Sequence, residues 1–141
     1  GPEYPHNPFI NYKQIPIIEP QKFQTLYGII SFRGKGSSED NIEIDSLKKI
    51  IQKLQQNDIK VVVFTAPYNR IFLNEVSKSD LKIFESIMEK IANDTQIDVY
   101  FLHDKYADLK IWRDPYHVAV NNTVTVYSED ITKIILESFD G

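Results

Sequence analysis

The sequence predicts an α/β domain, a three-layer sandwich around a small, mainly parallel sheet. Three observations predict it. Short apolar runs rich in β-formers alternate with stretches of helical periodicity, in the order strand, helix, strand, helix, strand, loop, helix. The middle run, Val61 to Phe64 within "IKVVVFTA", is continuously apolar rather than alternating. That implies burial on both faces, the habit of a parallel sheet. The length of 141 residues suits one domain and is too short for two ordinary ones, so the crossovers are expected to be right-handed and local.

Taken in order, residues 1–20 form an extended N-terminal arm, because Pro2, Pro5, Pro8, Pro16 and Pro20 forbid a helix. The arm also carries Tyr4, Phe9, Tyr12, Ile15, Ile17 and Ile18, so it is expected to pack on something. Residues 21–141 form the α/β domain. "TLYGIISF" (25–32) reads as a first buried strand and "RGKGSSEDN" (33–41) as a polar loop. Ile44, Leu47, Ile50, Ile51 and Leu54 then recur at helical spacing, which predicts a helix over about 45–56. A strand at 59–65 and a longer loop to about residue 78 follow. Leu81, Phe84, Ile87, Met88 and Ile91 mark a second helix over 79–92, with Ser79 as its N-cap. "IDVYFLHD" holds a strand at 97–102. Beyond an irregular stretch, Ser128 is placed to cap a last helix carrying Ile131, Ile134, Ile135 and Phe139 inward. The three strands should be parallel neighbours, with edge strands drawn from the arm or from 123–127.

Composition excludes several function classes. With 42% hydrophobic and 26% charged residues the chain has the balance of a soluble globular protein. It has no cysteine, which removes disulfides, zinc ribbons and thiol nucleophiles together. Its net charge of −4, without any Lys/Arg block, argues against a nucleic-acid partner. No apolar run approaches the ~20 residues of a spanning helix. The three histidines show no metal-ligand spacing, and neither metal nor cofactor is expected. The opening Gly1-Pro2 looks like a tag-cleavage scar, so upstream sequence is expected to have been removed. The Pro-rich, aromatic arm suits a segment emerging from a membrane anchor in an extracytoplasmic parent protein.

In an open α/β sheet, ligands bind beyond the carboxyl ends of the strands. Three loops leave such ends here: 33–41, 66–78 and 103–117. The third holds "WRDPYHVAV", with Asp114 three residues before His117. Such a pair reads either as a surface turn or as a catalytic pair. In the second reading the Asp114 carboxylate binds Nδ1 of His117, fixes its tautomer and steadies the cation formed when Nε2 takes a proton. Trp112 reads as a core residue or cleft wall, His103 as a strand-end residue bonded to backbone, and His6 as part of the arm. Arg33 and Arg70 follow strands and read as solvated loop arginines, or as anion ligands in the functional reading. "NDT" (93–95) and "NNT" (121–123) match the N-glycosylation pattern.

"WRDPYHVAVNNTVTVYSEDITKIILESF" resembles the C-terminal block of the SGNH (GDSL-type) hydrolases and their acyltransferase relatives. That block has Asp-x-x-His, a short connector and an entry into the closing helix. "LKKIIQKLQQNDIKVVVFTAPYN" is similar to the family's helix, strand and Pro-containing loop, so the resemblance spans about residues 25–139. It implies a flavodoxin-like fold, acyl-transfer chemistry on a carbohydrate or lipid ester, Asp114 as orienting acid and His117 as general base. The chain also departs from the family pattern. The usual Gly-Asp-Ser or Gly-Ser-Ser block upstream and the Gly-x-Asn-Asp loop are not found. Gly36-Ser37-Ser38 follows the expected first strand and offers Ser37 or Ser38 as nucleophile. Otherwise the serine block is missing, and the chain alone is expected to be inactive. The alternative is a binding or structural module on a degenerate hydrolase fold.

Overall fold

The structure is a computed structural model that describes residues 15–28 and 42–140. Its architecture is mixed α/β, with a two-stranded parallel sheet and five α-helices among the described residues. In chain order these are α1 (Phe23–Tyr27), α2 (Ile42–Gln55), β1 (Val62–Phe64), α3 (Arg70–Leu73), α4 (Lys78–Thr95), β2 (Asp98–Tyr100) and α5 (Val126–Phe139). Strands β1 and β2 pair in parallel with Val62 opposite Asp98, Val63 opposite Val99 and Phe64 opposite Tyr100. The central helix and the crossover between the two strands therefore lie where the apolar periodicity puts them.

Alternation along the strands distributes their side chains between two cores. Val61, Val63, Val99 and Phe101 pack with Ile51 of α2 and with Ile87, Met88 and Ile91 of α4. Val62 and Tyr100 pack instead with Phe23, Leu102, Tyr106, Ile111, Trp112 and Ile134. Both faces of the sheet are packed at Val62 and Val63, in keeping with a continuously apolar β1, whereas Phe64 at its end is exposed. Helices α2 and α4 are also joined at their edges by the Lys48–Asp94 ion pair and by Gln55 Nε2 donating to the Thr95 carbonyl at 2.8 Å.

Several sequence expectations need correction. Residues 25–27, assigned to a first strand, belong to α1, and 29–32 lie outside the described residues. Pro20 supplies the cause: its fixed φ starts a 3₁₀ turn, Pro20–Lys22, that runs directly into α1. Phe23 then buries itself completely, and Gly28 ends the helix at φ 76°. The sheet therefore has two described strands rather than three. The loop after β1 contains the short helix α3, capped by Asn69, whose side chain accepts from Phe72 N at 3.1 Å. Helix α4 begins one turn-position earlier than expected, because Ser77 rather than Ser79 accepts from Asp80 N, at 3.0 Å. Ser128 lies inside the first turn of α5, and Val126 and Tyr127 open that helix, with Thr125 at its N-cap, instead of forming an edge strand.

The arm does pack. Ile18 N donates to Trp112 O and Ile15 N to Val120 O, both at 2.8 Å. Helix α5 is held to the loop after β2 by the Tyr106 hydroxyl, which donates to Asp130 at 2.6 Å, and by Lys105, whose Nζ sits 2.8 Å from the same carboxylate. Those two bonds, Lys105 first, hold the Asp130 carboxyl below its usual range. Burial, and then the bond to Asp130, push the Tyr106 phenol well above its own.

Two outcomes are expected. Trp112→Ala should cost about 3–5 kcal/mol in urea unfolding, the range for deleting a buried large aromatic, and Trp112→Phe clearly less, since the indole N–H has no hydrogen-bond partner among the described residues. A depressed carboxyl stabilises the fold above its unfolded pKa, about 3.9, and that stability is lost as pH falls through the lower folded value. The melting temperature should therefore fall as pH drops below about 4, and less steeply in Asp130→Asn. Equal slopes in the two proteins would show that the Asp130 contacts do not form in solution.

Candidate functional site

The site is built on a hairpin-like loop after β2. Trp112 and Val118 form an antiparallel bridge, Arg113 N donates to His117 O at 3.0 Å, and Ala119 N donates to Ile111 O at 2.7 Å. Asp114, Pro115 and Tyr116 make its tip. Trp112 at the base is fully buried, and so is Pro115 at the tip. The loop is thus pinned at two points while its polar residues face outward. Asn69 adds a third tie, donating from Nδ2 to the Asp114 carbonyl at 3.3 Å.

Asp114 turns this geometry into chemistry. Its Oδ1 accepts from the backbone N–H of Tyr116 and of His117, each at 2.8 Å, so the carboxylate cannot rotate away. Nδ1 of His117 lies 2.9 Å from Oδ1 and 3.0 Å from Oδ2. An ionised carboxylate only accepts, so Nδ1 carries the hydrogen and Nε2 is left as a basic lone pair. Arg113 Nε, 3.3 Å from Oδ2, adds positive charge beside the carboxylate. The Asp114 side chain is 17% exposed and that of His117 59%, an orienting acid behind an accessible imidazole. No described residue donates a hydrogen bond to Nε2.

His117 lines a cleft of about 1020 Å³ together with Tyr116, Asn121, Tyr127, Ser128 and, across from them, Ala66. Ser128 is exposed at the start of α5. The sequence points to it as a cap, but no cap bond forms and its hydroxyl is left at the cleft wall. Asn121 of the second sequon folds onto its own turn, its Oδ1 accepting from Thr123 N and Oγ1 at 2.9 Å each.

A second histidine–carboxylate arrangement lies at the carboxyl ends of the strands, and it behaves differently. His103 is buried, with Nδ1 3.1 Å from Thr65 Oγ1 and Nε2 3.0 Å from Glu85 Oε1. Hydroxyl, imidazole and carboxylate in line have the outward form of a catalytic triad. The Thr65 oxygen, however, already accepts from Leu102 N at 2.8 Å and His103 N at 3.0 Å. Both its lone pairs are occupied, so its hydrogen must point to Nδ1 and no pair remains for attack. The network is a brace joining the end of β1 to the chain after β2 and to α4. His103, expected to bond to backbone, is held by two side chains instead.

Of the other residues singled out in the sequence, Ser37, Ser38, Arg33 and His6 lie outside the described residues. Arg70 is solvent-exposed as expected, but it opens α3 rather than lying in a loop, and it is paired. Its Nε and Nη2 grip Asp108 at 3.0 and 2.7 Å, which raises the guanidinium pKa and lowers that of Asp108. Trp112 is core rather than cleft wall. Among the described residues no group of histidines and acids could hold a metal ion, and no helix is long and apolar enough to cross a membrane.

Replacing Thr65 tests the brace. Thr65→Val would leave two buried N–H groups and a ring nitrogen unpaired, at about 1–3 kcal/mol for each such loss. Unfolding should show about 3 kcal/mol lost in Thr65→Val and no more than about 1 in Thr65→Ser, which keeps the hydroxyl. Compared with known proteins, the chain matches no family model, no curated protein and no solved structure.

Proposed function

We propose that this chain is an SGNH-like hydrolase domain, a flavodoxin-like three-layer sandwich that supplies the acid–base arm for acyl transfer from a carbohydrate or lipid ester. A single observation carries the reading. Asp114 holds Nδ1 of His117, Nε2 is without a partner among the described residues, and His117 lines a cleft large enough for a substrate. In that role Nε2 takes the proton of an attacking hydroxyl, Asp114 stabilises the resulting imidazolium, and the same proton then passes to the departing alcohol. The result is an esterase when water takes up the acyl group and an O-acyltransferase when a sugar hydroxyl does.

The attacking hydroxyl is the open element. Ser37 and Ser38 are the candidates from the sequence, and Ser128 is the one the cleft adds. No described hydroxyl is hydrogen-bonded to Nε2, which favours a nucleophile supplied from elsewhere. It also lends weight to the competing reading, a module that binds a glycan or partner protein without turning it over.

Hydrolysis of 4-nitrophenyl acetate separates these readings. The 141-residue chain is expected to be no faster than His117→Ala, because a base without a nucleophile does nothing. The complete product of its gene is expected to show acyl transfer that drops about 10⁴-fold in Asp114→Asn, the loss typical of a misheld imidazole. Absence of any His117-dependent acyl chemistry there would leave the binding module standing. Activity in the short chain that disappears in His117→Ala and in one of Ser37→Ala, Ser38→Ala or Ser128→Ala would place the nucleophile in this sequence.

A further inference from the structure

We infer that the ester acted on at His117 carries a medium-length, uncharged acyl chain, received by a second cavity beside the His117 cleft. The inference rests on the acyl-transfer reading for the identity of the head group, and on the cavity itself for the tail.

The cavity has a volume of about 240 Å³ and lies between the loop after β1, α3 and the first turns of α4. Tyr68, Phe72, Val76, Leu81 and Phe84 make its walls, with Thr65 and His103 at its polar end. Every polar atom of those last two side chains is already bonded. Thr65 Oγ1 serves two backbone N–H groups and His103, and His103 serves Thr65 and Glu85. A polar occupant would lose its hydration there and gain no hydrogen bond from them in return, whereas an apolar one loses nothing. Asp80, on the wall, has its carboxylate directed to Ser77 at 2.7 Å and opposes a free carboxylate placed near it. The occupant is therefore an alkyl chain, which Asp80 favours on a neutral head over a carboxylate.

Position ties the cavity to the base. Ala66 lines both this cavity and the His117 cleft. Phe72 also spans the two: its ring lies 4.7 Å from Tyr68 within the cavity and meets Tyr116 edge-on at 5.1 Å, one residue from His117. An ester whose carbonyl sits by Nε2 can pass its chain across Ala66 and along Phe72. At about 30 Å³ for a group the size of a water, the volume accommodates about eight such groups. Chains of six to eight carbons, as an order of magnitude, fill it.

The test has a binding arm and a turnover arm. The intact chain is titrated with 1-octanol, with octanoate as control, following the side-chain methyl signals of Val76 and Leu81 by NMR. Saturable shifts at both methyls are expected with octanol, and weaker binding with octanoate. Val76→Phe or Leu81→Phe, each filling the cavity, should weaken octanol binding at least about tenfold at unchanged melting temperature. No saturable binding to the unsubstituted chain overturns the cavity assignment, as does binding that both filling variants leave intact. In the turnover arm, the complete gene product should prefer 4-nitrophenyl octanoate to the acetate, with kcat/KM rising about fourfold per methylene until the cavity is full. Octanol binding without any His117-dependent turnover would uphold the cavity and remove the acyl-transfer reading alone. Turnover that ignores chain length, with no octanol bound, would do the reverse.

Discussion

Burial of the Trp112 side chain is the constraint on which the candidate site depends. The indole fills the core beside Phe23, Tyr106 and Ile134, while its backbone faces two ways, accepting from Ile18 N and bridging to Val118. One residue thus joins the N-terminal arm, the core under α5 and the loop that presents Asp114 and His117. A tip of three residues would otherwise sample many conformations, at a cost of about 1–2 kcal/mol per residue to fix. Here Trp112 and Pro115 are anchored by packing, and Asp114 is locked by the N–H groups of its own turn. The carboxylate is held before any substrate arrives.

The two described histidines show how environment sets what an imidazole can do. His103 and His117 each have a carboxylate partner at about the same distance. His103 is buried with both ring nitrogens committed, so it can only brace. His117 is exposed with one nitrogen committed, so the other remains available for proton transfer. The difference lies in Thr65. Its hydroxyl collects two backbone donors at the end of the sheet and must donate its hydrogen to His103. A group that satisfies the fold so completely is withdrawn from chemistry.

The exposed ion pairs play a smaller part. Lys48–Asp94, Arg70–Asp108 and Lys105–Asp130 each join neighbouring segments. Pairs so accessible to water contribute little singly. They select which surfaces meet, whereas burial of Ile51, Ile91, Phe23 and Trp112 supplies most of the stabilisation. The exception in kind is Asp130, which also receives the buried Tyr106 hydroxyl and so couples α5 to the interior.

By itself the sequence determined whatever depends on local periodicity and local hydrogen bonding. The apolar runs around Val62–Phe64 and Asp98–Tyr100 read as strands, and the spacing of Ile87, Met88 and Ile91 as a helix facing a core. Asp114 and His117 were legible as a pair because a carboxylate three residues before a histidine can reach its Nδ1 without help from the rest of the chain. What it could not decide were outcomes set by long-range competition. Leu26 has the local signature of a strand, yet the helix started by Pro20 and the burial of Phe23 take it. Ser77 and Ser79 are equal as caps until the entry angle of α4 is set. Thr65 and His103 are 38 residues apart; only pairing of β1 with β2 brings them together. The cleft and the cavity that share Ala66 belong to the same class, since neither exists until α3, α4 and the Trp112 loop close around the carboxyl end of β1.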